Sequence, residues 1–373
     1  MTWLLASATT AYGRHEGKSA LALMAEAAQA ALDAAGLEAG AIDGLVCGYA
    51  TTLPHLMLGN VFAEHFGLRP QWLQSLQLGG ATGVAMAIAA MAAIQSGMAR
   101  TVLVVAGENR LTGSQPGGAT KALSQVLDAD YEQPLGAIIP AQYALLASWY
   151  LAERKAREED LAALAVLMRR HASQTTGAHH QKPLTEADVM ASRPIATPLK
   201  LLDCCPVSDG AAAFILSADA PQKGAQVRII GAGQAHQHQH LCRMPDFAAT
   251  GAVAAMTRAM AQARCGKEDV GFLGIYDSFS ITLALLLEEL GFAGLGKAGQ
   301  EAAAGRFDRD GDLPLNPHGG LLSYGHCGVA GGMAHLAAVH HALRHADNDR
   351  LGYVHADGGV MSAHAALILE RAA

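Results

Sequence analysis

The stretch "GGATGVAMAIAAMAAIQSGMARTVLVVAGE", Gly79 to Glu108, decides the fold, because it joins a glycine turn, an alanine-rich helix and a buried strand without a break. Gly79 to Gly97 reads as a turn opening a helix. Thr101 to Glu108 is a continuous β-branched run of the kind found in buried parallel strands. Upstream, Ser19 to Gly36 places Leu21, Leu23, Met24, Ala27, Ala31 and Leu32 at helical spacing, and the short apolar run Ile42 to Cys47 follows as a strand. The second half repeats this order. Val253 to Cys265 is an amphipathic helix before the strand-like "FLGIYDS", and "GHCGVAGGMAHLAAVHHALR" is a glycine turn opening a helix before the strand-like "LGYVHADGG". The tripeptide Gly-Val-Ala recurs at Gly83 to Ala85 and at Gly328 to Ala330. The chain is expected to be α/β, a duplicated unit whose two similar halves face each other.

The halves are interrupted. A polar, less periodic stretch, 110–198, carries candidate helices at Ala141 to Arg157 and Glu159 to Gln174 and reads as an inserted loop domain. The N-terminal half is then 1–109 with 199–224, which contains "VSDGAAAFILS" from Val207 to Ser217, and the C-terminal half is 225–373. Insertions of this kind commonly cap a site built on a rigid scaffold.

Composition narrows the function classes. With 51% apolar and 16% charged residues, the 373-residue chain has material for a large core. The net charge of -7 and scattered Lys and Arg leave no basic field for nucleic acid. No apolar run is long enough to cross a bilayer, and Met1 to Arg14 lacks the order of a signal peptide, so a cytoplasmic protein is expected. Cys47, Cys204, Cys205, Cys242, Cys265 and Cys327 have no CxxC pair or framework spacing, which favours reduced thiols over disulfides or a metal site. The run His236 to His240 reads as a polar loop, and His335, His340 and His341 as surface or dimer contacts.

"LNPHGGLLSYGHCGVAGG", Leu315 to Gly332, sets His326 and Tyr324 on a backbone of glycines. Taken together with "GGATG", "AIQSGMARTVLVVAGE", "VSDGAAAFILS", "YDSFS" and "ADGGVMSAH", in that order over essentially the whole chain, it resembles the thiolase superfamily in its sterol-carrier-protein-type branch. The resemblance implies the thiolase fold, a duplicated five-layered α-β-α-β-α core with an inserted loop domain. It also implies a homodimer, with Thr101 to Glu108 resembling the dimer-edge strand, and acyl-CoA substrates. CoA would be part of the substrate, with no separate cofactor and no metal. Some relatives work beside a companion protein made of a zinc ribbon and an OB-fold.

Departures from the thiolase pattern carry the functional reading. The Cys-x-Ser-Gly nucleophile turn corresponds to Gly80-Ala81-Thr82-Gly83, the second catalytic cysteine falls on Ala356, and the Asn-Glu-Ala-Phe motif is replaced by Tyr276-Asp277-Ser278-Phe279. Neither glycine nor alanine can form an acyl-enzyme. His326 matches the histidine of the thiolase Gly-His-Pro motif and can donate to an oxygen where negative charge develops. The pattern resembles the lipid-transfer-protein-like CoA-thioester aldolases of steroid side-chain degradation, where two tyrosines at positions matching Tyr276 and Tyr324 carry catalysis.

The expected activity is therefore an aldehyde- or ketone-lyase: a retro-aldol cleavage of a β-hydroxyacyl-CoA to a carbonyl product and a shorter acyl-CoA through an enolate. Tyr276, Tyr324 and His326 are the candidate catalytic residues, and which phenol is acid and which is base stays open. Asp277, already ionised, is a rival base. Asp277, His318, Gly80, Gly358 and Cys327 are the candidate supporting residues. Each has a structural reading too: Tyr276 as the wet edge of a core strand, Tyr324 as ordinary turn chemistry, Cys327 as a core thiol. Two other functions remain: a thiolase-like acyltransferase with an unusual nucleophile, for which Cys327 is the nearby thiol, and a non-catalytic subunit of a complex.

Overall fold

The computed structural model describes residues 1–114, 124–136, 138–221, 224–346 and 350–372. In the N-terminal half, β1 (Thr2–Thr9) leads into α1 (Ala20–Ala35), which starts where the Ser19 side chain accepts from the Ala22 amide and stops at Gly36 in the left-handed region, φ 66°. Next come β2 (Gly44–Gly48), α2 (Leu58–Phe66), β3 (Trp72–Leu76), α3 (Thr82–Gln95) and β4 (Thr101–Asn109). After the insertion, whose main helices are α4 (Ile139–Glu153) and α5 (Glu158–Ser173), β5 (Asp209–Ser217) returns to the first half. The C-terminal half is β6 (Gln226–His236), α6 (Ala252–Ala263), β7 (Val270–Ile275), α7 (Ser280–Glu289), α8 (Val329–His345), β8 (Leu351–Gly358) and β9 (Ala363–Ala372).

The strands form a sheet in the order β3-β2-β4-β5-β1-β6-β9-β8-β7, the two halves meeting where Thr2 and Trp3 of β1 pair with Ile229 and Arg228 of β6. Helix α3 is apolar on every side because it lies with α8 between strands of both halves. Helix α1 covers the outer face of β4 and β5, and α6 covers β6 and β9, so helices and strands alternate in five layers as in the thiolase fold. Tyr143 and Leu146 of α4 and Leu164 and Met168 of α5 join the same core as the strands, which fixes the insertion against the scaffold.

Two expectations are corrected here. Thr101 to Glu108 is not an edge: β4 pairs parallel with β2 on one side and antiparallel with β5 on the other, and the free edges are β3 and β7. The apolar run reflects burial between two neighbours and two helix layers. His335 and His340 are not surface residues. Both are on the buried side of α8, His340 bonding Ser7 Oγ at 2.8 Å and His335 bonding Asp277 at 2.9 Å. Among the described residues no helix is long and apolar enough to cross a membrane, and no cluster of three His, Cys, Asp or Glu could hold a metal ion.

Candidate active site

Parallel strands β2 and β4, and β7 and β8, end on the same side, where a cavity of about 290 Å³ opens. Open α/β sheets place ligand sites beyond such carboxyl ends. Tyr276, directly after β7, and His326, two residues before Gly328, the residue that caps the start of α8, both line this cavity, with Tyr276 Oη 3.2 Å from His326 Nε2. The Gly328 amide donates to His326 Nδ1 at 3.2 Å. Burial, then the Arg110 charge, lowers the His326 pKa to about 3, so the ring is neutral. With Nδ1 accepting, its one proton sits on Nε2 and is donated to the Tyr276 oxygen.

The phenol itself is pushed well above its ordinary pKa by burial and by Cys205, Asp357 and Tyr49, with Arg110 pulling the other way. Arg110 stands just past the end of β4 at the cavity wall. It is paired with Glu108 at 2.6 Å, both side chains being buried, while its Nε has no hydrogen-bond partner among the described residues. Glu108 also accepts from Thr51 and from the Thr52 amide, so its charge is well satisfied. The result is a cation and an N–H donor on one wall of a largely apolar cavity.

Gly80 faces Tyr276. A Cβ built on it would lie 2.1 Å from Tyr276 Oη and 2.4 Å from the Asp357 carbonyl oxygen, so the phenol fills the space of a side chain at position 80. Gly358 is used differently: its Cβ would meet the Leu78 carbonyl at 2.1 Å, and it permits close packing of the two turns rather than lining the cavity.

The other candidates are not brought to the cavity. Asp277 follows Tyr276 and points the opposite way, accepting from the Leu321 and Leu322 amides at 2.7 and 3.2 Å and from His335. It anchors the five-residue turn Gly320–Tyr324, and Gly320, at φ +60° with a hypothetical Cβ 2.0 Å from Asp277 Oδ2, admits the carboxylate. That turn is helical, so Tyr324 and His326 do not share a side as an extended segment would require. The Tyr324 hydroxyl bonds Thr9 Oγ1 at 2.9 Å, its ring packs on Tyr12 and His318, and it does not line the cavity. His318 is buried, and among the described residues neither ring nitrogen is bonded. Cys327 is buried beside Tyr12, its thiol pushed up by burial. Tyr324→Phe is accordingly expected to lower kcat by less than about tenfold while destabilising the fold by about 1 kcal/mol through the lost Thr9 bond. Parallel measurements of turnover and urea unfolding check this.

Residues missed in the sequence also line the cavity: Tyr49, Arg110, Tyr143, Cys204, Cys205 and Asp357. Arg110 and Asp357 sit at strand ends, a signal that could have been used. Tyr143 lies inside a helix and carries no such signal.

Residues 233–371 match the family described as thiolase C-terminal domain-like. An acetyl-CoA acetyltransferase of Methanocaldococcus jannaschii is 31% identical over 346 residues, 90% of this chain and 88% of that protein. The chain belongs to the thiolase superfamily. A second relative, the 17-hydroxy-3-oxo-4-pregnene-20-carboxyl-CoA lyase of Mycobacterium tuberculosis, is 30% identical over 366 residues, 90% of this chain and 93% of that one, and the sterol-carrier-protein-type branch is supported by sterol carrier protein 2 of Oryctolagus cuniculus, 28% identical over 270 residues, 67% of this chain and 49% of that one. Among solved thiolase-fold structures, an Ltp2-ChsH2(DUF35) aldolase superposes with a TM-score of 0.84 at 29% identity, covering 99% of this chain and 97% of that one. Against the thiolase pattern, Gly80 stands where the resemblance puts the nucleophile, and the Tyr276 hydroxyl occupies the room that a nucleophile's side chain would need.

Proposed function

We propose that this thiolase-superfamily enzyme is a CoA-thioester aldolase, which splits a β-hydroxyacyl-CoA into an aldehyde or ketone and a shorter acyl-CoA. The observation that carries the reading is the exchange at Gly80: a proton-transfer group, Tyr276, sits where a covalent nucleophile would otherwise stand. Cleavage of the Cα–Cβ bond leaves an enolate on the thioester. The Arg110 guanidinium lies on the wall where that negative charge would be held, and in a water-poor cavity such a donor acts strongly. Tyr276 performs one of the two proton transfers, its oxygen already receiving the His326 proton. The lyase and aldolase relatives support the same reaction class.

Incubation with a panel of β-hydroxyacyl-CoAs, followed by mass spectrometry, tests the reading. A shortened acyl-CoA and an equimolar carbonyl compound are expected. The apolar walls, among them Ile139, Pro140, Ile195, Leu201 and Phe279, favour a bulky hydrocarbon acyl group, steroid-derived as in the M. tuberculosis lyase. Intact acyl-CoA throughout the panel would remove the lyase assignment.

An acetyltransferase relative favours a second reading, acyl transfer through a thiol. Cys204 and Cys205, not Cys327, line the cavity, but burial pushes the Cys204 thiol up to about 12 and Cys205 higher still, which leaves little thiolate. A homodimer is also proposed, through the free β3 edge rather than β4, since an unpaired edge is a ready pairing surface. A zinc-ribbon/OB-fold companion and a cytoplasmic location complete the proposal, the companion being supported by the likeness to the Ltp2-ChsH2(DUF35) complex.

A further inference from the structure

Retro-aldol cleavage moves two protons, one off the β-hydroxyl and one onto the α-carbon, and only Tyr276 of the two expected phenols faces the cavity. We propose that Asp357 is the second proton-transfer group: its carboxylate takes the β-hydroxyl proton, and Tyr276 gives its own proton to the α-carbon. This rests on the lyase reading above.

Asp357, near the end of β8, is fully buried, its Oδ1 included, and is among the residues that line the cavity. The Tyr143 hydroxyl donates to its Oδ2 at 2.9 Å and also lies 3.2 Å from the Gly359 carbonyl. Among the described residues no well-formed hydrogen bond reaches its Oδ1, the Met361 and Gly358 amides standing near the carboxylate. A buried acceptor left empty is costly, and more so when charged. Such an orphan on a cavity wall is matched by a substrate hydroxyl. Both Tyr276 and Asp357 flank the bare Gly80, the phenol by its side-chain oxygen and the aspartate by its backbone carbonyl.

Relative acidity assigns the roles. A carboxyl and a phenol start about six units apart, at about 3.9 and 10. Burial raises both, and Asp357 further raises Tyr276; the assignment takes the carboxyl, ordinarily the stronger acid, as the group that carries the charge. Facing Asp357 are Tyr143, Tyr276 and Glu289, the last adding to the rise, while the Met361 and Gly358 amides and the Tyr143 hydroxyl oppose it. A carboxylate raised in this way is a better base than an ordinary one. Because His326 donates to the phenol oxygen, the phenol's own proton is free to point at substrate.

The step balances. Asp357 Oδ1 accepts the hydroxyl proton, the Cα–Cβ pair flows into the thioester, and Cβ becomes the carbonyl carbon. Tyr276 then protonates Cα, and the proton on Asp357 passes back to the phenolate. No oxidant, reductant or net proton is needed.

Binding tests the assignment apart from turnover. In the Tyr276→Phe protein, which holds substrate without completing the reaction, the probes are 3-hydroxybutyryl-CoA and butyryl-CoA, measured by calorimetry. A hydrogen bond to a charged acceptor predicts a preference of roughly tenfold to a hundredfold for the hydroxy thioester at pH 8. The preference should vanish when Asp357→Ala is added, and should fade as falling pH protonates Asp357. Adding Tyr143→Phe, which removes a donor to the carboxylate but leaves the carboxylate in place, should move that fading to higher pH. Equal binding of the two probes, or a preference that survives Asp357→Ala, overturns the proposal. If Asp357→Ala does not fold, an unshifted pH profile in the Tyr143→Phe variant overturns it instead. A preference without carbonyl release from any β-hydroxyacyl-CoA removes the lyase reading and leaves Asp357 as the hydroxyl receptor. Carbonyl release without the preference keeps the lyase and removes Asp357.

Discussion

Replacing Tyr276 by phenylalanine is expected to lower kcat for β-hydroxyacyl-CoA cleavage by roughly 100-fold to 10,000-fold, the range for a positioned proton-transfer group. KM should change by no more than a few fold, because the ring and its packing remain and the lost proton matters mainly in the transition state. Thermal stability should be nearly unchanged. Among the described residues the hydroxyl has one bond, 3.2 Å to His326, worth about 1 kcal/mol at most. His326→Gln should be milder than Tyr276→Phe, since it leaves the acid in place and removes only its donor. A Tyr276→Phe protein with near-normal kcat would make the phenol structural and take the aldolase assignment with it.

The contrast between Tyr276 and Tyr324 shows how far the chain could be read without coordinates. Periodicity located α1, α3, α6, α8 and their strands to within a few residues, because each helix or strand buries a face set by its own local spacing. Both tyrosines lay in recognisable motifs, but where a hydroxyl points depends on backbone turns that spacing does not encode. Gly319 and Gly320, both at positive φ, coil the chain before Tyr324 and turn its hydroxyl toward Thr9. Tyr276 stands at a strand end, where alternation sends it to the cavity and Asp277 away from it. Asp277 looked like a base in the sequence because an isolated carboxylate is one. In the fold it is consumed by two amides and His335. Arg110, Tyr143 and Asp357 were missed for the converse reason: their partners lie far away in sequence, 214 residues apart for Tyr143 and Asp357.

Position 80 gives the most severe test, since there the loss of one function and the gain of another share a single volume. Gly80→Cys, which restores a thiol where the thiolase pattern has one, is expected to lose lyase turnover by more than about 1,000-fold without becoming a thiolase. Its Cβ would need the space now held by Tyr276 Oη at 2.1 Å and by the Asp357 carbonyl at 2.4 Å. The phenol is 5% exposed and packed, and the carbonyl belongs to a strand paired on both sides, so neither can yield cheaply. Overpacking of this kind costs roughly 1–3 kcal/mol, and the displaced phenol also leaves His326. The pair should therefore be coupled: in a double-mutant cycle, Gly80→Ala should destabilise the Tyr276→Ala protein less than the unaltered one, by an interaction energy of roughly 0.5–3 kcal/mol. The relief would be partial, because the Asp357 carbonyl stays. Independent, additive losses in urea unfolding would place Tyr276 away from Gly80. A Gly80→Cys protein that accumulated an acyl adduct by intact mass would show that one residue separates this chain from the acyltransferases, and that Tyr276 gives way to a nucleophile when one is supplied.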